Sequence, residues 1–231
     1  MSNPFRYFKT SPEIIRLAVM MYIRFPLSLR NVEGLLHERG IDITHETVRF
    51  WWNRFGPLFA RSIRKRRAEN ANYSNWACHL DEVFVKINGE LHYLWRAVDH
   101  EGEVLEAYVT KTRNPEAALR FLRKAMKRFG RPDVVVTDRL GSYKAAMREI
   151  GNVGCHETGR WLNNRAENSH QPLRRREKIM NRFRSMRSLQ KFAAIQSSIH
   201  NHFNLERHIY RREDFKENRS AALAEWRQLA A

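Results

Sequence analysis

Disulfide-forming capacity is the first thing this sequence lacks. Two cysteines, Cys78 and Cys155, occur in 231 residues, too few for a disulfide framework and suited to a reducing cytoplasm. Long hydrophobic runs are missing too. The longest apolar stretch, residues 14–23, is broken by Arg16, and nothing approaches the ~18 residues of a membrane span. The opening Met1-Ser2-Asn3-Pro4 carries no signal-peptide pattern, so a cytoplasmic protein is expected. Internal repeats and low-complexity tracts are absent. Acidic residues are scarce: 25 Asp+Glu stand against 42 Lys+Arg, leaving +17. Such an excess points to a polyanion partner, and nucleic acid comes first because neutralised phosphates release counterions. An anionic membrane surface ranks below it, since no basic amphipathic helix stands apart from a folded pattern. Apolar residues at 42% and aromatics at 11% exclude a disordered chain despite the charge.

What is present falls into two basic ends and a balanced middle. Residues 1–67 hold 13 Lys/Arg against five Asp/Glu, and residues 160–187 hold nine against two. The N-terminal part reads as three helices. Ser11-Pro12-Glu13 is a start signal of hydroxyl cap, Pro in the first turn and acid, with Pro26 closing the helix. Ser28 caps a second helix that Gly40 terminates. Thr44 caps a third, in which Val48, Trp51, Trp52 and Phe55 form one buried stripe. Two helices joined by the short connector Gly40–Ile43 read as a helix-turn-helix. Its second helix would present His45, Thr47, Arg49, Asn53 and Arg54 to the major groove. Arg64, Lys65 and Arg66 follow in a basic tail suited to phosphate.

From Cys78 the period changes to two. Residues 78–87, 91–98 and 104–110 alternate as strands, with Asn88-Gly89 the hairpin turn between the first two. Asn114-Pro115-Glu116 opens a helix that ends at Gly130. Val134–Val136 is a short, continuously apolar strand, as in a parallel sheet, and residues 142–150 form a short helix. A weak strand is expected near 153–156, a helix around Glu167, and a core helix over 189–203. The fold class is therefore α/β, a three-helix N-terminal part plus a mixed sheet flanked by helices. The expected division is 1–67 for DNA binding, 68–75 as linker, 76–210 as catalytic domain and 211–231 as a helical tail.

Three acids stand out by position. Asp81 interrupts an apolar strand, where a carboxylate is costly to bury unless it is paired or bound to metal. Glu82 beside it points to the opposite face, so one of the two is expected to face the site. Asp138 follows the apolar strand, at the sheet end where ligands bind. Glu167 lies in the first turn of a helix that Asn163 or Asn164 can cap, with Pro172 expected to kink that helix or push its start beyond Glu167. Oxygen ligands of this kind suit hard cations such as Mg²⁺. A pair of ions can clamp both oxygens of a phosphodiester displacement. No Cys/His spacing suggests zinc. The basic run Arg174, Arg175, Arg176 and Lys178, continued by Arg182, Arg184 and Arg187, would hold the DNA backbone.

The order helix-turn-helix, His79-Leu80-Asp81-Glu82-Val83-Phe84-Val85-Lys86, Val136-Thr137-Asp138, then Asn163-Asn164-Arg165-Ala166-Glu167-Asn168-Ser169-His170 resembles the DDE transposases of bacterial insertion sequences. The group it resembles most is insertion-sequence family six. The resemblance runs from about residue 4 to residue 228. It implies an RNase H-like catalytic core shared with retroviral integrases, with Asp81, Asp138 and Glu167 as catalytic and metal-binding acids. It also implies Mg²⁺ or Mn²⁺, two ions in number, and strand cleavage and transfer at terminal inverted repeats. Partners would be those ends, target DNA and further copies of the chain, at the bacterial nucleoid. Arg174 falls where the family often has Lys or Arg. The 28 residues between Asp138 and Glu167 are fewer than relatives commonly have. Two other readings predict no role for the acids in chemistry: a helix-turn-helix regulator, and a degenerate transposase that binds ends without cutting.

Overall fold

The expected start signals of the three N-terminal helices are used as read. The Ser11 hydroxyl accepts the Ile14 N–H at the start of α1 (Pro12–Arg24). Ser28 and Asn31 cap α2 (Leu29–His37) reciprocally. The Thr44 hydroxyl accepts the Thr47 N–H at the start of α3 (His45–Asn70). Gly40 takes φ +74° in the connection between α2 and α3, a left-handed turn that a Cβ would strain. The connection spans residues 38–44 rather than four. The computed structural model describes residues 3–70, 77–138, 140–159, 162–180, 182–204 and 210–229. Residues 71–75 of the expected linker, and Trp161 just before the Asn163 motif, lie outside them.

The chain divides into two compact units, residues 1–70 with 198–231, and residues 71–197. In this division α8 and the end of α7 group with the N-terminal helices, where the expected division set residues 211–231 apart as a helical tail. The physical reason is aromatic. Trp226, from α8 (Arg212–Arg227), is 2% exposed. It packs edge-on against Phe59 at 5.2 Å and against Phe203 at 5.7 Å, and its indole N–H donates to the Arg16 carbonyl at 3.3 Å. The basic tail is also no tail: Arg64, Lys65 and Arg66 continue α3 as helix, and Arg64 donates to the Ser198 hydroxyl at 2.8 Å. A Trp226→Ala chain should lose about 3–5 kcal/mol, as buried aromatic truncations do. Urea unfolding followed by circular dichroism measures this. A change below 1 kcal/mol would show that the C-terminal helix does not hold this unit together.

The second unit is built on a five-stranded sheet in the order β3-β2-β1-β4-β5. β1 (Ala77–Ile87), β2 (Glu90–Val98) and β3 (Val104–Thr110) form an antiparallel meander, turned at Asn88 (φ 51°) and Gly89 (φ 87°). β4 (Val134–Thr137) runs parallel to β1, and β5 (His156–Thr158) parallel to β4. The weak strand expected at 153–156 is a 3₁₀ turn over Val153–Cys155 followed by β5. α4 (Pro115–Phe129) and α5 (Gly141–Ile150) cover one face, where Cys78, Leu80, Trp95, Phe121, Val135, Tyr143 and Met147 are buried together. α6 (Asn164–Ile179) covers the other, with Ala166 buried against Val98 and Val104. α7 (Met186–Phe203) begins beside β3. There Gln190 accepts the Val109 N–H and donates to the Ala107 carbonyl, each at 2.8 Å. One side chain thus satisfies an edge strand that would otherwise offer free backbone groups. α6 starts at Asn164 and continues through Pro172, so Glu167 is helical. The carbonyl that Pro172 leaves without a donor belongs to Asn168, an exposed residue that water can reach.

Candidate active site

The register of β1 against β4 decides where the acids meet. β4 pairs with β1 only as far as Thr137 opposite Leu80. Beyond that point the β4 side of β1 is uncovered, and Asp138 stands at its mouth. Carboxylate oxygens of Asp81, Glu82 and Asp138 lie within 4.8 Å of one another there. Asp81 and Glu82 do point to opposite faces, Asp81 meeting His170 of α6 and Glu82 meeting Tyr143 of α5, yet both carboxylates come within reach of Asp138, which the expectation that only one would face the metal did not include. Asp81 Oδ1 also accepts the N–H of Glu82 at 2.9 Å.

Each carboxylate has its own setting. Asp138 follows a buried strand, and its Oδ1 accepts the Leu140 N–H at 3.0 Å. Asp81 Oδ2 accepts Nε2–H of His170 at 3.0 Å. His170 is itself 7% exposed, and burial lowers its pKa against the pull of Asp81. Glu82 is buried. Its Oε2 accepts the Tyr143 hydroxyl at 2.9 Å and its Oε1 contacts the Arg113 guanidinium. Burial raises the Glu82 pKa, opposed by the Tyr143 hydrogen bond and by Arg113. Arg113 also reaches Asp138 Oδ2 at 3.4 Å.

Glu167 is exposed in the first turn of α6 and does not join the group of three. Its helix is nevertheless tied to the site. Asn163 starts α6 without a side-chain cap; instead its Nδ2 donates to the Leu80 carbonyl at 2.8 Å, next to Asp81. Arg96, 1% exposed, donates to the Ser169 carbonyl at 2.6 Å. Burial pushes its guanidinium down to about 10. His170, one turn after Glu167, makes the Asp81 bond. Asn163, Ala166, Ser169, His170 and Leu173 form the buried face, and Glu167 lies at its margin, three residues from His170 and four from Asn163.

The proposed DNA contacts sort by exposure. Arg49, Asn53, Arg54, Lys65, Arg175 and Lys178 are exposed, and Arg174 and Arg66 half-buried. Arg49 pairs with Glu46 at 2.8 Å and Arg174 with Glu177 at 2.7 Å; such surface pairs exchange readily. His45 is bound to Glu33 of α2 at 2.9 Å, which joins α2 to α3, and Thr47 to the Thr44 hydroxyl at 3.1 Å, a contact within the start of α3. Arg176 is corrected: at 2% exposure, over the Phe192 ring at 5.7 Å, it belongs to the core and not to a phosphate-binding face. It falls three residues after buried Leu173, on the inner side of α6. Sequence reasoning also missed Glu82, Arg113, Tyr143 and Asn163 as members of the site. The one signal for Glu82 was its adjacency to Asp81.

The donor set tests well for a divalent cation. Three converging carboxylates offer hard oxygen ligands, and no Cys/His group of three meets elsewhere among the described residues. Cys78 is buried with its thiol pushed up, and so is inert.

A mixed sheet of this order, with one aspartate inside β1 and a second just past the end of the neighbouring parallel strand β4, is the arrangement expected of an RNase H-like DDE domain. The family described as a DDE domain, of the IS240 transposase type, matches residues 75–206. The chain is 35% identical over 180 residues to the transposase for insertion sequence-like element IS431mec of Staphylococcus aureus strain Mu50, covering 76% of this chain and 79% of that one. It is 34% identical over 180 residues to the Staphylococcus aureus transposase for insertion sequence element IS257 in transposon Tn4003, with the same coverage. The catalytic core domain of BIV integrase superposes with a TM-score of 0.36 at 15% identity, over 63% of this chain and 99% of that one. The chain belongs to the DDE transposases of insertion sequences, in insertion-sequence family six. It is an enzyme of the metal-dependent, DNA-transposing kind. No described helix is long and apolar enough to cross a membrane.

Proposed function

We propose that this transposase binds the terminal inverted repeats of its element and, with Mg²⁺ or Mn²⁺, cuts their strands and joins them to target DNA. The observation that carries this reading is the convergence of Asp81, inside β1, and Asp138, just past the end of the parallel strand β4. Asp81 and Asp138 would hold the metal, and Glu167, on the helix tied to Asp81 through His170, is proposed as the third ligand. A divalent ion held by these carboxylates would supply charge stabilisation for the attacking and leaving oxygens. The Glu82 and Leu140 N–H groups and the His170 imidazole fix the two aspartates, so little reorganisation accompanies the reaction. Arg49, Asn53 and Arg54 of α3 are proposed to meet the repeat. Lys65, Arg66, Arg174, Arg175 and Lys178 are proposed to hold phosphates. The active form is proposed to be an oligomer, since two ends must be joined in one event, acting on DNA in the cytoplasm.

The test is strand transfer by the purified chain on DNA bearing the element's ends. Joined product with Mg²⁺, abolished by chelation, is expected. Tight end binding with no product under any divalent ion would favour the degenerate or regulator reading.

His170 carries a separate prediction. Its bond to Asp81 should set how well the site takes metal, so His170→Leu should raise the Mg²⁺ needed for half-maximal transfer by ~10–100-fold. His170→Gln, whose amide can replace the Nε2–H donor, should recover most of the loss. A Mg²⁺ titration of both variants decides this. Equal loss in the two would assign His170 to packing alone.

A further inference from the structure

Resting on the transposase reading, we propose that Arg113 binds a non-bridging oxygen of the phosphodiester being cut and joined, with Glu82 as its anchor rather than as a metal ligand. Glu82 is already committed. Its side chain is 1% exposed, one oxygen taken by the Tyr143 hydroxyl and the other by Arg113. A carboxylate so buried needs its counter-charge, and that need accounts for the pair. It does not account for the other end of the pair. The Arg113 side chain is 31% exposed, with Nη2 shared between Glu82 and Asp138. Nη1 has no hydrogen-bond partner among the described residues.

Its placement is also over-determined for a charge-neutralising role. Arg113 lies in the short connection between β3 and α4, at the sheet end where Asp138 emerges. Its backbone carbonyl accepts the Ser142 hydroxyl at 3.4 Å, and its guanidinium stands over the Phe84 ring at 5.5 Å. A guanidinium is a planar fork with two hydrogen-bonding edges. Here Nη2 is fixed by carboxylates and Nε is buried, which leaves Nη1 as the donor beside the acids that position the reaction. Phosphate oxygens are the natural acceptors for that geometry. A fixed cation there stabilises charge that grows during transfer.

Arg113→Ala alone would leave Glu82 buried without its cation and could fail by misfolding. The decisive protein is therefore the double variant Glu82→Gln/Arg113→Ala, in which Gln still accepts the Tyr143 hydroxyl and no buried charge is stranded. Four measurements are made on the full chain: thermal melting, end-DNA affinity by gel shift, Mn²⁺ binding by electron paramagnetic resonance, and transfer rate at saturating DNA. The double variant should melt near the parent and bind Mn²⁺ and end DNA within about threefold of it. It should transfer strands on the order of 10²–10³-fold more slowly, as when one preorganised donor is removed. Transfer within a few fold of the parent would overturn the proposal and leave the pair as structural. Loss of Mn²⁺ binding would overturn the anchor role and make Glu82 a metal ligand. A parent chain that gives no metal-dependent transfer would overturn both this inference and the reading beneath it, which separates the two failures.

Discussion

Asp138→Ala and Asp81→Ala chains should bind element-end DNA at least as tightly as the parent and lose strand transfer by on the order of 10³-fold or more. Loss of one carboxylate removes a metal ligand and the transition-state stabilisation that depends on it. The same change removes a negative charge close to the DNA, so affinity stays equal or rises. Asp138 is the stronger case, because it follows a buried strand and its carboxylate is held by the Leu140 N–H. Asp81 loses two bonds at once, from His170 and from the Glu82 N–H. Its variant therefore needs a melting curve beside the assay. Glu167→Ala is the sharper probe of geometry, since Glu167 is exposed and outside the group of three acids. Its folding should be untouched. Loss of transfer in this variant would establish α6 as the source of the third ligand, while full activity would transfer that role to another acid. Full activity in Asp138→Ala would end the transposase mechanism altogether.

End binding should fall by on the order of 10³-fold between about 50 and 200 mM salt. The net charge of +17 and the exposed Arg49, Arg54, Lys65, Arg175 and Lys178 suit contact with six or more phosphates. Each neutralised phosphate adds to the slope of log affinity against log salt. Arg176, being buried, should add nothing to that slope. A gel-shift series across salt measures it, and a nearly flat plot would remove the extended basic surface from the account.

Helix starts were legible because capping is local. Ser11, Ser28, Thr44 and Asn114 meet their own N–H partners three residues on, whatever lies elsewhere. The hairpin at Asn88-Gly89 and the meander after it were legible for the same reason. α6 was read less well. Pro172 predicts a kink or a start beyond Glu167, yet α6 starts at Asn164 and runs through Pro172, because packing of its buried face offsets the hydrogen bond and the clash that an interior proline costs.

Sequence by itself determined the order of elements, the acids at strand positions 81 and 138, and the family they mark. Those rest on patterns within a few residues. Tertiary structure decided the rest, because the deciding contacts join residues far apart in the chain. Tyr143 and Glu82 are 61 residues apart, and His170 and Asp81 are 89; their meeting depends on strand order. β4 ends one residue short of Asp138, where the carboxylates of Asp81 and Glu82, held from opposite faces by His170 and Tyr143, both come within reach of it. Arg176 reads as one more surface cation in a basic run, yet the helix turn that places it after Leu173 puts it inside. Trp226 gives no sign in sequence of where it goes. It joins the N-terminal helices because Phe59, Phe203 and the Arg16 carbonyl together offer an apolar site and a hydrogen-bond acceptor for its indole.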